Sequence, residues 1–532
     1  MVQLDPGYFD AVSVLNDLAT AEPQPIFPDS WLVTPQDTLS IPEPSLTFDQ
    51  EKSILDNYFA YIHPCMPILH RDKFRRQHED GSANRDLLTV MLTMTAKILG
   101  RPNYWDELDF AASLQTHLHD RSVPSIDKAA AGRRPSLDDF REACLLAFYE
   151  FHQSPGEKAW LRIGNLTRKA HHYRLHQIDH RAGPLPCMAN ALDEEERDEW
   201  KVLWWCIFCL DSYSNITAAI PFVIQIDSIR TSLLADSGPL DGHGGARRPE
   251  ILLPDEPDLL WKVAKEVLSL GRHVNFNMHI VTTALLRESA TLYRLWYQAP
   301  SERLKSRIAA FETHTAALRL ALPPWYLRTT RDVLHDESCE DYHARLICVL
   351  HINAAHLLTA LSLPQQGADG EQATFRAKTL AYSQDIVAVV EQWDGQRSTG
   401  VDPAVCFIIY AALVVLQFHI DLLGGKEPKL DSRLGTCRTL LLLFLEQFAE
   451  FWYLPKFLIR SFNKYCQITH DKSGGSSALL KSFQVPLHPE WVANVSGMDL
   501  DMALPSPPEG DAPAQGSQDW GSRSWPNALG YT

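Results

Sequence analysis

Residues 194–211 read EEERDEWKVLWWCIFCLD. This stretch contains no Gly or Pro, and Trp200, Leu203, Trp204, Ile207 and Phe208 recur at intervals of three and four. A 3.6-residue period places those five side chains on one side of a helix. Glu194, Glu195 and Glu196 stand at its start, where carboxylates suit the helix dipole. The stretch therefore predicts a long helix that buries an aromatic face. The same period recurs in both directions along the chain. On the N-terminal side, Ile54, Leu55, Tyr58, Phe59 and Ile62 form one face that Pro64 and Pro67 stop. Further helices are predicted over 87–99, 140–151 and 160–173. On the C-terminal side the pattern predicts helices over 261–270, 279–297, 301–321, 341–361, 372–393, 404–422, 432–452 and 456–465. Alternating strand patterns are scarce, and no fixed-period repeat is present. The reading is an all-α body, a large bundle or array of antiparallel helix pairs.

The chain has 532 residues and a net charge of −17, from 49 Lys+Arg against 66 Asp+Glu. That balance argues against a surface that grips nucleic acid non-specifically, because neutralising phosphates takes a positive field. The charge is uneven: residues 1–50 carry −8 with no Lys or Arg, residues 489–532 carry −5, and the middle carries −4. Three regions follow. Residues 1–48 hold seven prolines and read as acidic and largely disordered. One amphipathic stretch lies within them, with Tyr8, Phe9, Val12, Leu15 and Leu18 at helical spacing. It suits either docking on the body or a partner's groove. Residues 49–485 form the helical body. Residues 486–532 are rich in Pro, Ser and Gly, with Trp491, Trp520, Trp525 and the cluster from Met498 to Met502. Acids mixed with large apolar residues are the composition of activation segments.

Ten cysteines are too sparse for a disulfide framework, and reduced thiols in a cytosolic or nuclear protein are expected. The N-terminus lacks the pattern of a signal peptide, so the sequons at Asn165, Asn215 and Asn494 read as chance matches. The longest apolar run, from Ala404 to Leu416, is thirteen residues, short of the ~20 a spanning helix needs. A buried core helix is expected there, and no membrane partner.

Motifs of the common enzyme classes are missing: no P-loop, no G-x-G-x-x-G before a helix, no G-x-S-x-G and no H-E-x-x-H. His172, His176 and His180 would share a face only if their helix ran through all three, and polar packing or capping is the expected role. Cys206 and Cys209 form a C-x-x-C inside an apolar helix and read as small core residues. Asp138, Asp139 and Glu142 resemble the acidic motif that holds magnesium in all-α terpene cyclases, yet no second metal motif faces them; an acidic helix start is the expected reading. The basic pairs Arg75-Arg76, Arg133-Arg134 and Arg247-Arg248 read as solvated surface. No catalytic, cofactor-binding or metal-ligating residue is assigned, and no enzymatic activity is expected.

Two segments carry a resemblance. Tyr58 to His70 (YFAYIHPCMPILH), followed by Phe74, resembles the opening of the regulatory "middle homology" domain of fungal Zn₂Cys₆ transcription factors. The run from Trp160 through Ala170, Leu175-His176 and Glu194–Glu196 to Trp204-Trp205 and Leu210-Asp211, with Pro221 beyond, looks like the core of the same domain. The likeness covers roughly residues 50–465. Two departures stand out: Arg174 where the family usually has Gly before Leu-His, and Ala219-Ile220 where a Gly-Arg pair commonly precedes the proline. The resemblance implies structural roles for His63, Pro64, Pro67, His70, Trp160, His176, Trp204, Trp205, Asp211 and Pro221. The prolines would fix a turn, the tryptophans fill the core, and Asp211 satisfy a nearby donor. It also implies a nuclear transcriptional regulator, of the kind that controls metabolic or secondary-metabolite gene sets.

The family's basic six-cysteine zinc cluster carries over to no residue, since no Cys precedes Cys65 and no Lys or Arg precedes Lys52. DNA is then expected only indirectly or through an N-terminal module outside this sequence, and zinc only with such a module. The acidic tails would meet the transcription machinery or co-regulators. A homo- or heterodimer and a small-molecule effector stay open as partners. The alternative is an accessory co-regulator or repressor that binds a homologous activator or a metabolite. An all-α enzyme ranks last.

Overall fold

The computed structural model describes residues 46–99, 135–180, 193–235, 250–270, 272–332, 337–362, 369–395 and 400–471. Among these residues it holds fourteen helices and no strand. The first seven are α1 (Phe48–Asn57), α2 (Arg71–Glu79), α3 (Arg85–Leu99), α4 (Leu137–Gln153), α5 (Glu157–His172), α6 (Glu194–Ala218) and α7 (Leu260–Leu268). The others are α8 (Val274–Gln298), α9 (Glu302–Ala321), α10 (Cys339–Leu361), α11 (Asp369–Val390), α12 (Val405–Leu423), α13 (Pro428–Ala449) and α14 (Tyr453–Asp471). The readings made on residues 1–45, on Arg133-Arg134, on Arg247-Arg248, on Asn494 and on the tail from 486 lie outside the described residues.

The helix starts are set locally. Thr47 and Gln50 form a capping box on α1, and Ser136 and Asp139 form one on α4. Asp193 caps α6 by accepting from Glu196 N–H at 2.7 Å, and Ser338 caps α10. One helix had no legible period. α2 (RDKFRRQHE) buries only Phe74 and His78, so its inward face is too narrow to show as an apolar stripe. His78 stands in for an apolar residue there, stacked on Phe48 at 4.8 Å with Nε2 3.0 Å from Glu51 Oε2.

A single contiguous apolar core runs from Ile54 to Tyr465. Its first part joins α1, α3, α4, α5 and α6; its second stacks α8 on α10, α10 on α11 and α11 on α12. Contacts of α6 with α8, and of α14 with α4, tie the parts together. α12 touches α10, α11, α13 and α14, which is why its sequence is apolar on every side. α10 and α12 are long and apolar enough to cross a membrane, yet both are mostly buried among their neighbours, as core helices are.

Three non-glycine residues sit in the left-handed region: Arg174 (φ 59°), Ala219 (φ 55°) and His273 (φ 57°). The first two are the positions where the resemblance expects glycine. Arg174 follows α5 and Ala219 ends α6, where the chain must reverse its backbone hand and a Cβ costs about 1–2 kcal/mol.

Candidate functional site

The segment from Tyr58 to His70 leaves α1 through a π-helical turn over Tyr58–Ile62 and a 3₁₀ turn over His63–Cys65. It is closed by its own motif residues. The His63 ring donates from Nε2 to the Leu69 carbonyl at 2.8 Å, and burial pulls its pKa below the usual imidazole range. The next residue, His70, is the N-cap of α2, with Nδ1 accepting from Lys73 N–H. Arg141 on α4 donates to the Ile68 carbonyl at 2.8 Å and to Glu199 on α6 at 2.7 Å, while Lys73 holds the other oxygen of Glu199 at 2.7 Å. Together these bonds join the turn to α4 and α6.

A second set of bonds fixes the chain after α6. Asp211, fully buried, accepts from Val223 N–H and Ile224 N–H, both at 3.2 Å, and from Asn215 Nδ2 at 2.8 Å. Arg287 on α8 pairs with it at 3.1 Å and lies 3.9 Å over the Phe222 ring. Burial lowers the Arg287 pKa, and the Asp211 charge opposes that shift. Pro221 is exposed, just beyond the left-handed end of α6. Trp204 and Trp205 are fully buried, and Trp205 donates to the Ser232 carbonyl at 3.1 Å.

Trp160 departs from expectation. It is 38% exposed, so Trp200, Trp204 and Trp205 fill the core without it. Its indole N–H reaches Asn215 Oδ1 at 3.0 Å, which needs the ring at the rim of α6. The histidines at 172, 176 and 180 do not share a face, because α5 ends at His172. His176 lies in a 3₁₀ turn near His171 and Trp204, and burial, with the nearby His171 and Arg174, lowers its pKa to about 4. Asp139 belongs to the capping box and Asp138 pairs with Arg141 at 2.9 Å, so both carboxylates are engaged in holding α4. The Asn215 of one sequon is buried.

Between the motif turn and the later helices lies a cavity of about 570 Å³. Pro64, Cys65, Met66 and Pro67 form one wall, and Cys206, Cys209 and Leu210 of α6 form the second. Asn275, Phe276 and His279 come from α8; Glu340, Asp341, His343 and Ile347 come from α10; Gly400, Val401 and Asp402 close the rim. Burial raises the Cys206 thiol far above its usual range and pushes Cys209 up to about 12, so both stay neutral and apolar in character. Among the described residues no group of three or more His, Cys, Asp or Glu is placed to hold a metal ion. Behind the cavity, the Tyr213 hydroxyl lies 3.0 Å from both His279 Nε2 and His351 Nε2, and His351 Nδ1 lies 3.0 Å from Thr282 Oγ1. The walls from α8 and α10 carried no sequence signal, because nothing local marks His279 or His343 as neighbours of a turn more than two hundred residues away.

Residues 55–263, which span both motif segments, match the fungal specific transcription factor domain. Over 175 residues it is 27% identical to a transcription factor of Emericella nidulans, covering 32% of this chain and 25% of the relative. Over 426 residues it is 18% identical to the cutinase transcription factor 1 alpha of Fusarium vanettenii, covering 77% of this chain and 42% of the relative. It is also 25% identical, over 172 residues, to the ascochitine biosynthesis cluster transcriptional regulator of Didymella fabae, covering 32% of this chain and 28% of the relative. The chain thus spans less than half the length of these relatives, each of which is named for transcription and not for catalysis. No solved structure matches.

Proposed function

We propose that this protein is a transcriptional regulator that acts in the nucleus through its helical body and controls a metabolic or secondary-metabolite gene set. The observation that carries the reading is the domain match over 55–263, laid on a segment whose motif residues close two irregular turns by buried polar bonds. The names of the Fusarium and Didymella relatives support control of specialised gene sets. Deleting the gene and profiling transcripts, together with chromatin immunoprecipitation of the tagged full chain, tests it. A confined gene set should change, with the tagged chain enriched at its promoters. Unchanged transcripts and no promoter enrichment would sink the proposal.

The net charge of −17 favours a specific version, in which DNA is reached through a partner or a segment beyond the described residues rather than through the surface of this body. An accessory co-regulator bound to a homologous activator fits the same charge. A gel shift with the purified chain, with and without that activator, separates the two: retention by the chain alone excludes the accessory reading.

A further inference from the structure

The cavity between the motif turn and α8 and α10 has a one-sided charge pattern. Among the described residues, every charged side chain that lines it is a carboxylate: Glu340 and Asp341 at an exposed mouth, and Asp402 deeper in. Among the described residues no Lys or Arg lines it. Asp402 Oδ1 accepts from Ala404 N–H at 2.8 Å and lies 3.1 Å from His152 Nε2, and Asp341 accepts from Asn275 Nδ2 at 2.5 Å. His343 sets Nδ1 at 2.7 Å from the Cys339 carbonyl, and its Nε2 accepts from Asp394 N–H at 3.3 Å. The remaining walls are apolar: Pro64, Met66, Pro67, Phe276, Ile347 and Val401. A low-dielectric cleft lined by one sign of charge focuses that field, here a negative one.

The size, about 570 Å³, falls within the ~300–1,000 Å³ of pockets that take small molecules. The proton order behind the α8 wall is fixed. The Thr282 hydroxyl donates to the Met278 carbonyl at 2.9 Å, so it accepts from His351 Nδ1–H. Tyr213 then donates to His351 Nε2 and accepts from His279 Nε2–H, which leaves His279 Nδ1 an acceptor.

We propose that this cavity binds an apolar small molecule that is uncharged or carries one positive charge, and that it rejects carboxylates and phosphates. Its role as an effector site rests on the regulatory reading above; binding itself does not, and is tested without it. The purified full chain is titrated with three fluorescent probes: Nile red (neutral), tetramethylrhodamine ethyl ester (cationic) and anilinonaphthalene sulfonate (anionic). The neutral and cationic probes should compete for one site, and the anionic probe should bind at least about tenfold more weakly. Ala344→Trp, which puts an indole into the cavity from α10, should weaken both favoured probes at least about tenfold. Glu340→Lys at the exposed mouth should weaken the cationic probe about threefold and strengthen the anionic one. The proposal is overturned if the anionic probe binds as tightly as the cationic one, or if neither favoured probe binds. It is also overturned if a folded Ala344→Trp binds unchanged. Should that variant fail to fold, an unaltered charge preference in Glu340→Lys overturns it. A chain that binds as described but leaves transcripts unchanged would fail the regulatory reading alone.

Discussion

The chain that follows α6 enters the core at Ile224 while α12 is buried along most of its length, and the two are held in opposite ways. From Ala219 to Ile224 the backbone follows no regular pattern. Its far end is set by one carboxylate, Asp211, which takes the Val223 and Ile224 N–H groups, and one guanidinium, Arg287, which takes the Ile224 carbonyl. α12 holds its own backbone bonds internally and contributes a nearly unbroken apolar surface, with Ile409, Leu413, Val414 and Leu416 fully buried. Burial of each such side chain is worth about 1.5–3 kcal/mol, and the loss on truncation is graded. A buried charge has no such gradation. Remove one partner and the other is left desolvated and unpaired. Irregular segments that shape a site therefore depend on few residues, while the helices behind them depend on many.

The largest break should come from Arg287→Met, which strands Asp211 in the core and frees the Ile224 carbonyl. A loss of about 3–5 kcal/mol is expected, read as a fall in the urea midpoint. Leu413→Ala in α12 should cost about 2–4 kcal/mol, with α12 and the loop after α6 otherwise intact by hydrogen exchange. If the arginine variant proved as mild as an Ile→Val change, the polar-anchor account of the loop would be wrong.

Acid should act on both regions. Burial lowers the pKa of His176, beside Trp204 of α6, and of His356 and His419, in α10 and α12, to about 4 in each case from an ordinary 6.5. Between those values the unfolded chain binds protons that the fold does not. Stability should therefore be fully present above pH 6.5 and decline as pH falls toward 4. A melting temperature several degrees lower at pH 5 than at pH 7 is expected, with His419→Gln flattening the slope. The smallest effect has the opposite sign. Arg174→Gly and Ala219→Gly relieve left-handed strain, and each should add about 0.5–1 kcal/mol in thermal or urea melts. No gain at either position would show that the local backbone does not resist its side chain.

Much of the helical framework was readable before any coordinates. α6 and α12 declared themselves by period and by apolar run, because burial of a helix face leaves a periodic trace. α2 left none, since only Phe74 and His78 turn inward and His78 is polar. Trp160 misled for a related reason: a tryptophan at helical spacing reads as core, but its N–H can pull it to the rim, as Asn215 does here. The motif residues themselves were visible, yet their bonds were not. Nothing in the residue order says that His63 caps the Leu69 carbonyl or that Arg287 meets Asp211 from 76 positions away. The cavity was less legible still, because three of its walls come from segments with no local mark of a shared site.

The central claim, that this helical body regulates transcription, meets its most direct test in a tethered reporter. The full chain is fused to a heterologous DNA-binding domain and expressed in a fungal host with a matching promoter. Reporter output should change several-fold, up or down, relative to the DNA-binding domain alone. Output indistinguishable from that control, with the fusion folded and nuclear, would contradict the account.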